Sequence, residues 1–119
     1  MDRPNQPGAP PQPKLTEALD GLWARFLPEM KQRIAVLESA ASAVTQENLN
    51  ASDREAAHAA AHKLAGVLGT FGLKRGSDLA HELEISFSPQ SAPDGNSGND
   101  LEQTVAELRS LIENRKSTF

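Results

Sequence analysis

Residues 53–72 read DREAAHAAAHKLAGVLGTFG, an alanine-rich stretch that predicts an amphipathic helix. An advance of about 100° per residue gathers one set of apolar side chains on a single face, which we expect to be buried. These side chains are Ala57, Ala60, Leu64, Val67, Leu68 and Phe71. Ser52 and Glu55 form a capping box that predicts a helix start at Asp53. Gly72 is placed to end the helix.

The opposite face of this helix is centred on His62 and is predicted to be exposed. Glu55, His58, Gly66 and Gly69 fall on the same side. A glycine inside a helix costs roughly 1 kcal/mol relative to alanine, and core packing gives no reason for glycine on an exposed face. We therefore predict that the two glycines let another molecule approach the imidazole closely.

The segment around this histidine is basic. Residues 54–75 contain four basic side chains and one acidic side chain, a local net charge of +3 within a chain whose net charge is −4. The basic residues are Arg54, Lys63, Lys74 and Arg75. Such a patch favours the approach of a phosphoryl group or an acidic partner.

The composition excludes several classes of function. The 119 residues include no cysteine, which excludes disulfides, thiol nucleophiles and cysteine-containing zinc or iron–sulfur sites. The acidic balance argues against nucleic acid as a partner, because phosphate neutralisation requires clustered Lys and Arg. No apolar run approaches the roughly 18 to 20 residues of a membrane span, and no signal peptide is evident. We expect a cytoplasmic protein that does not bind membranes.

Helical patterns also precede and follow the central stretch. From Leu15 to Val44 apolar residues recur every three or four positions, and Pro28 favours a division into two nearly collinear helical pieces. Residues 76–78 resemble the start of a helix, and Leu79, Leu83 and Phe87 would lie on one side of that helix.

A final helix is predicted near the end of the chain. Asp100 and Gln103 form a second capping-box pattern, and the apolar period continues to about Lys116. The polar residues 88–99 before it are predicted to form a mobile loop.

These elements predict an all-α fold, an antiparallel up-and-down four-helix bundle with an additional N-terminal helical piece. The bundle is expected to span residues 15–119, and the proline-rich residues 1–14 are expected to be a disordered tail or linker. No heptad seam continues beyond Val44, and a monomer is expected.

Two short strings resemble a known family. Residues 61–73, AHKLAGVLGTFGL, resemble the signature of histidine-containing phosphotransfer (Hpt) domains, in which glycines follow the histidine at positions +4, +7 and +10. The segment is also similar to the phosphotransfer domain of chemotaxis histidine kinases. Residues 79–84, LAHELE, are like the helix that packs beside the phosphoacceptor helix in that family.

The resemblance implies a phosphocarrier rather than an enzyme. His62 would accept a phosphoryl group from a receiver-domain aspartate of a response regulator, or from a histidine kinase, and pass it to a receiver aspartate. The chain would need no cofactor, because Mg²⁺ and the charged pocket belong to the receiver. An imidazole suits this role, since its unperturbed pKa of about 6.5 leaves a neutral nucleophile near pH 7.

The resemblance also assigns roles to residues around His62. Gly66 and Gly69 correspond to the glycines at which a receiver approaches, and Glu84 corresponds to a carboxylate that hydrogen-bonds the phosphoacceptor imidazole. The family often has Lys at the third position after the histidine, where this chain has Ala65. Lys63 projects to the flank, about 100° round the helix. The residues expected to contact the partner are Glu55, His58, Ala65, Lys74 and Arg75.

The same face allows two other interpretations. His58 and His62 have the i, i+4 spacing that can hold a metal on a helix, but the sequence lacks the glutamate of a His-Glu-x-x-His motif, and no metal site is expected. The alternative function is a non-phosphorylated Hpt-like scaffold that binds a receiver or another signalling protein. Ala65 favours this alternative, and a His62→Gln variant separates it from a phosphocarrier.

Overall fold

A computed structural model describes residues 13–91 and 95–115. Within these ranges the chain forms four helices and no strand. The helices are α1 (Pro13–Thr45), α2 (Ala51–Thr70), α3 (Lys74–Ser86) and α4 (Gly95–Asn114). Residues 1–12 of the predicted tail lie outside the described part of the chain, and the last two residues of that tail belong to α1.

The four helices form a ring in which each packs against two neighbours. α2 and α4 each pack against both α1 and α3, whereas α1 and α3, like α2 and α4, lie diagonally across the bundle. The side chains fully buried between them include Met30, Leu37, Leu64, Leu68, Leu83, Phe87 and Leu108. Burying one such side chain stabilises the fold by about 1.5–3 kcal/mol. The prediction of an all-α four-helix bundle is confirmed, and no described helix is long and apolar enough to cross a membrane.

The break expected at Pro28 does not occur, because α1 is one continuous helix of 33 residues. The additional N-terminal piece is therefore the first part of α1. Proline removes one backbone donor, which would otherwise bond the carbonyl four residues earlier. Trp23 and Met30, on either side of the proline, are both buried in the core. Packing on both sides holds the helix together across the missing bond.

The start of α2 differs from the prediction, whereas its end agrees. The Asp53 N–H donates to Asn50 Oδ1 at 2.7 Å, so Asn50 is the cap and the helix begins at Ala51. Ser52 therefore lies inside the helix instead of capping it. Gly72 has a φ of +74°, the left-handed conformation that ends a helix at low cost for glycine.

The later helices begin before their predicted starts. α3 starts at Lys74, and α4 starts at Gly95, so that residues 95–99 of the predicted loop are helical, whereas residues 92–94 lie outside the described ranges. The first turn of α4 sits directly on the end of α1, where a Cβ at Gly98 would lie 2.6 Å from the Thr45 Cα. Packing on α1 therefore extends the helix into a polar, glycine-containing segment.

An aromatic cluster closes the end of the bundle at which α2 terminates. The ring of Phe71 meets those of Trp23 and Phe26 edge to face, at centroid distances of 5.2 and 6.2 Å. The Arg115 guanidinium lies 4.7 Å from the centre of the Trp23 ring and 3.3 Å from Asp20 Oδ1. This end is held by both apolar and charged contacts, which fixes α1 against the last turn of α2.

Candidate functional site

The imidazole of His62 is exposed on α2 and is bonded to a carboxylate of the neighbouring helix. Its side chain is 70% exposed, and its Nδ1 lies 2.8 Å from Glu84 Oε2 on α3. Glu84 is only 20% exposed. One edge of the imidazole is thus held by the protein while the rest of the ring faces solvent.

Two further histidines lie around the same carboxylate. His58, one turn before His62 on α2, has its Nε2 3.9 Å from the oxygen that His62 contacts. His81, on α3, has its Nδ1 3.4 Å from the other oxygen, Glu84 Oε1. Three imidazoles therefore share one carboxylate, with His62 in the shortest contact.

These contacts determine the charge on Glu84. Partial burial by itself raises the pKa of the Glu84 carboxyl, but the hydrogen bond from His62, the charges of the histidines and the bond from His81 outweigh it. The pKa of Glu84 is therefore lowered, and the carboxylate is ionised at neutral pH.

An ionised carboxylate accepts hydrogen bonds only, so the proton in the bond between His62 and Glu84 belongs to Nδ1 of His62. In the neutral ring the lone pair is then on Nε2. The arrangement fixes one tautomer and leaves the nucleophilic nitrogen away from the carboxylate.

The two glycines of the exposed face differ in their surroundings. A Cβ added at Gly66 would meet no atom within 4 Å, and one at Gly69 would make an ordinary contact of 3.5 Å with Ser77 Oγ. Packing within the chain therefore requires glycine at neither position. The absence of a side chain at Gly66 leaves open space one turn after His62.

A groove runs along one side of His62, between α1 and α2, with a volume of about 640 Å³. It is lined by Phe26, Glu29, Arg33, His62, Lys63, Gly66, Val67, Thr70 and Phe71. Phe26 is 37% exposed, which gives the groove an apolar end. Arg33 pairs with Glu29 at 2.7 Å and, together with Lys63, places charge along its wall. We call this feature the α1–α2 groove.

Several residues predicted to contact a partner are either buried or distant from His62. Ala65 is 3% exposed, and its carbonyl accepts a hydrogen bond from Ser77 Oγ at 2.9 Å. Its side chain is buried and does not belong to the exposed face. Glu55 is exposed seven residues before His62, about two helical turns away.

The basic residues at the start of α3 are also remote from the imidazole. Lys74 and Arg75 precede Glu84 by ten and nine residues, about 14–15 Å along the helix. Lys74 pairs with Asp78 at 3.2 Å. Arg75 bonds both carboxylate oxygens of Glu107 on α4, at 2.8 and 3.1 Å, so it joins two helices of the bundle.

Sequence reasoning left out part of this site. It did not place His81 against Glu84, although the i, i+3 spacing of the two residues puts them on one side of a helix. Phe26, which belongs to the apolar period of α1, and Arg33 were not predicted to belong to the site. Both line the α1–α2 groove because α1 continues through Pro28 alongside the end of α2.

In the described ranges no group of three or more histidine or acidic side chains is arranged to hold a metal ion. Comparison with known proteins gives one positive result. A family model described as the Hpt domain matches residues 21–118, which is most of the chain. Neither a search of curated proteins nor a search of solved structures found a match.

Proposed function

The chain belongs to the Hpt domain family, and on that premise we propose that it is a phosphocarrier of a two-component phosphorelay. His62 accepts a phosphoryl group from a receiver aspartate or a histidine kinase and passes it to a receiver aspartate. The observation that carries this proposal is the 2.8 Å contact of His62 Nδ1 with Glu84, on an imidazole that is otherwise exposed.

The tautomer fixed by Glu84 supports nucleophilic attack by Nε2. The Nε2 lone pair forms the N–P bond while the bond between phosphorus and the donor aspartate oxygen breaks, and the aspartate leaves as a carboxylate with the electron pair. The Nδ1 proton stays in the hydrogen bond to Glu84, whose negative charge offsets the positive charge that develops on the ring. Transfer to the next receiver reverses these steps.

The chain contributes a positioned nucleophile, and the partner contributes the remaining chemistry. On this proposal the receiver provides Mg²⁺ and the charged pocket, and the chain acts without a cofactor and is not itself an enzyme. The open space at Gly66 supports close approach of the receiver to Nε2. The α1–α2 groove offers an apolar end for docking beside that path.

The direct test is phosphoryl transfer from a panel of phosphorylated receiver domains, with Mg²⁺, to the wild type and to His62→Gln. We expect an acid-labile, base-stable label on the wild type alone, and loss of that label when Mg²⁺ is chelated before mixing. If neither protein is labelled while both remain folded and bind receivers, the chain is a non-phosphorylated scaffold and the proposal is wrong.

A further inference from the structure

His58 and His62 converge on a single oxygen of Glu84. The two histidines are one turn apart on α2, and Glu84 Oε2 lies 2.8 Å from Nδ1 of His62 and 3.9 Å from Nε2 of His58. Either imidazole can attract this oxygen when it is protonated, but only His62 is within hydrogen-bonding distance. The carboxylate is thus shared unequally by the nucleophile and a neighbouring histidine.

The charge state of His58 decides how strongly it attracts the Glu84 carboxylate. At 3.9 Å a neutral imidazole makes no hydrogen bond, whereas an imidazolium attracts the carboxylate and repels a proton on the adjacent ring. His58 is 36% exposed, so its attraction to Glu84 is only partly screened by water. His58 therefore acts on Glu84 when it is protonated and has little effect when it is neutral.

Among the described residues, no other charged side chain takes the position of His58 beside Oε2 of Glu84. His81 contacts the opposite oxygen, Oε1, from α3 itself. The α4 carboxylate of Glu107 is paired with Arg75, nine residues before Glu84. α1 lies diagonally across the bundle from α3, and no α1 side chain is among the groups that shift the pKa of Glu84. The charged groups that face Glu84 are thus the three histidines.

We propose that His58 is a positioning residue for the phosphoacceptor, which acts by competing with His62 for the same oxygen of Glu84. This inference rests on the proposed phosphocarrier function. When His58 is neutral, Glu84 holds the Nδ1 proton of His62 without competition. When His58 is protonated, it attracts the carboxylate and disfavours a second positive charge on the neighbouring His62 ring.

Two substitutions at His58 separate its charge from its bulk. His58→Ala removes the competitor, and His58→Lys makes the positive charge permanent. Ala56→Lys is the matched control, because Ala56 is exposed on the same helix but borders Val36 of α1. The probe is phosphoramidate, a small phosphodonor that needs no receiver. The rate of His62 phosphorylation is measured between about pH 5.5 and 8.5, the range in which imidazoles titrate.

We expect the two substitutions at His58 to shift the pH–rate profile in opposite directions. In His58→Ala the acidic limb of the pH–rate profile shifts to higher pH by about half a unit. In His58→Lys it shifts to lower pH by a similar amount. At about pH 8.5 imidazoles are neutral, so His58→Ala should match the wild-type rate. His58→Lys should be slower there, because its ammonium pairs with Glu84 and weakens the hydrogen bond between Glu84 and His62. Ala56→Lys keeps the wild-type profile. Ratios of rates at each pH cancel the titration of phosphoramidate itself.

A second readout does not depend on phosphorylation. The ¹⁵N chemical shifts of the His62 ring report how fully the proton resides on Nδ1, and at about pH 8.5 we expect this occupancy to fall in His58→Lys and not in Ala56→Lys. Unchanged profiles and shifts in both His58 variants, or displacement in the same direction in both, would overturn the competition. Failure of phosphoramidate to label wild-type His62 would count against the phosphocarrier function instead, and the ring shifts would still decide the role of His58.

Discussion

His62 Nδ1 and Glu84 Oε2 are 2.8 Å apart although 22 residues separate them in the chain. Close packing of α2 and α3 sets this distance. Ser77 of α3 donates its hydroxyl to the Ala65 carbonyl of α2 at 2.9 Å. A Cβ on Gly76 would lie 3.2 Å from Leu68, so glycine at this position lets the two helices approach. The carboxylate is positioned by the bundle and not by a flexible loop.

Removal of the carboxylate should slow phosphorylation without unfolding the bundle. In Glu84→Ala the Nδ1 proton of His62 loses its acceptor, which lowers the basicity of Nε2 and releases the tautomer. We expect phosphorylation by phosphoramidate to fall by about tenfold or more. Glu82→Ala, an exposed carboxylate of the same helix, is the control and should retain the wild-type rate. Equal rates for the two variants would mean that Glu84 does not support the nucleophile.

Gly66 should be unnecessary for folding and necessary for access to His62. Because a Cβ there meets nothing within 4 Å, Gly66→Ala should raise the free energy of unfolding by about 0.5–1 kcal/mol, measured by urea denaturation. Gly66→Leu should slow phosphoryl transfer from a receiver while phosphoramidate still labels His62. If the leucine variant slows both reactions equally, the glycine does not serve the approach of a partner.

The bond to His62 should make the stability of the protein depend on pH in the acidic range. The pKa of Glu84 in the folded protein lies below its ordinary value of 4.5, so folding favours the ionised form. This stabilisation is present above that ordinary value and is lost as the pH falls through the lowered pKa. We expect urea denaturation to show the wild type losing more stability than Glu84→Gln from about pH 6 to about pH 3. Parallel losses in the two proteins would contradict the assignment.

Arg115 should stabilise the end of the bundle next to the α1–α2 groove. Its guanidinium lies over the Trp23 ring at 4.7 Å and is only 13% exposed. Arg115→Ala should lower the free energy of unfolding by about 1–2 kcal/mol through lost packing and cation–π attraction. Trp23 is the one tryptophan of the chain, so its fluorescence reports this end directly. Arg25→Ala, at an exposed position of α1, should have little effect on either measurement.

The sequence was sufficient to predict the bundle and the exposed histidine. The 3.6-residue period separates the buried Leu64 and Leu68 from the exposed His62, and that separation depends only on the angle between residues along a helix. Helix boundaries were less predictable. Asn50 takes the cap in place of Ser52, and α4 continues back to Gly95 because its first turn packs on the end of α1.

Relationships between helices could not be derived from the local pattern. An angular projection of α2 alone cannot show that Ala65 is buried, since the positions of the neighbouring helices are set by tertiary packing. The same limit applies to Arg75, whose bond to Glu107 depends on where α4 lies. The pairing of His62 with Glu84 came from family resemblance, and the approach of His81 to that carboxylate required the structure.

The central claim is that Glu84 holds Nδ1 of His62 and leaves Nε2 as the phosphoacceptor. The most direct measurement is ¹H–¹⁵N and ³¹P NMR of the phosphorylated, ¹⁵N-histidine-labelled protein, which identifies the nitrogen bonded to phosphorus. The account predicts a single phosphohistidine, at Nε2 of His62, with the Nδ1 proton retained. Phosphorylation at Nδ1 of His62, or at His58 or His81, would contradict it.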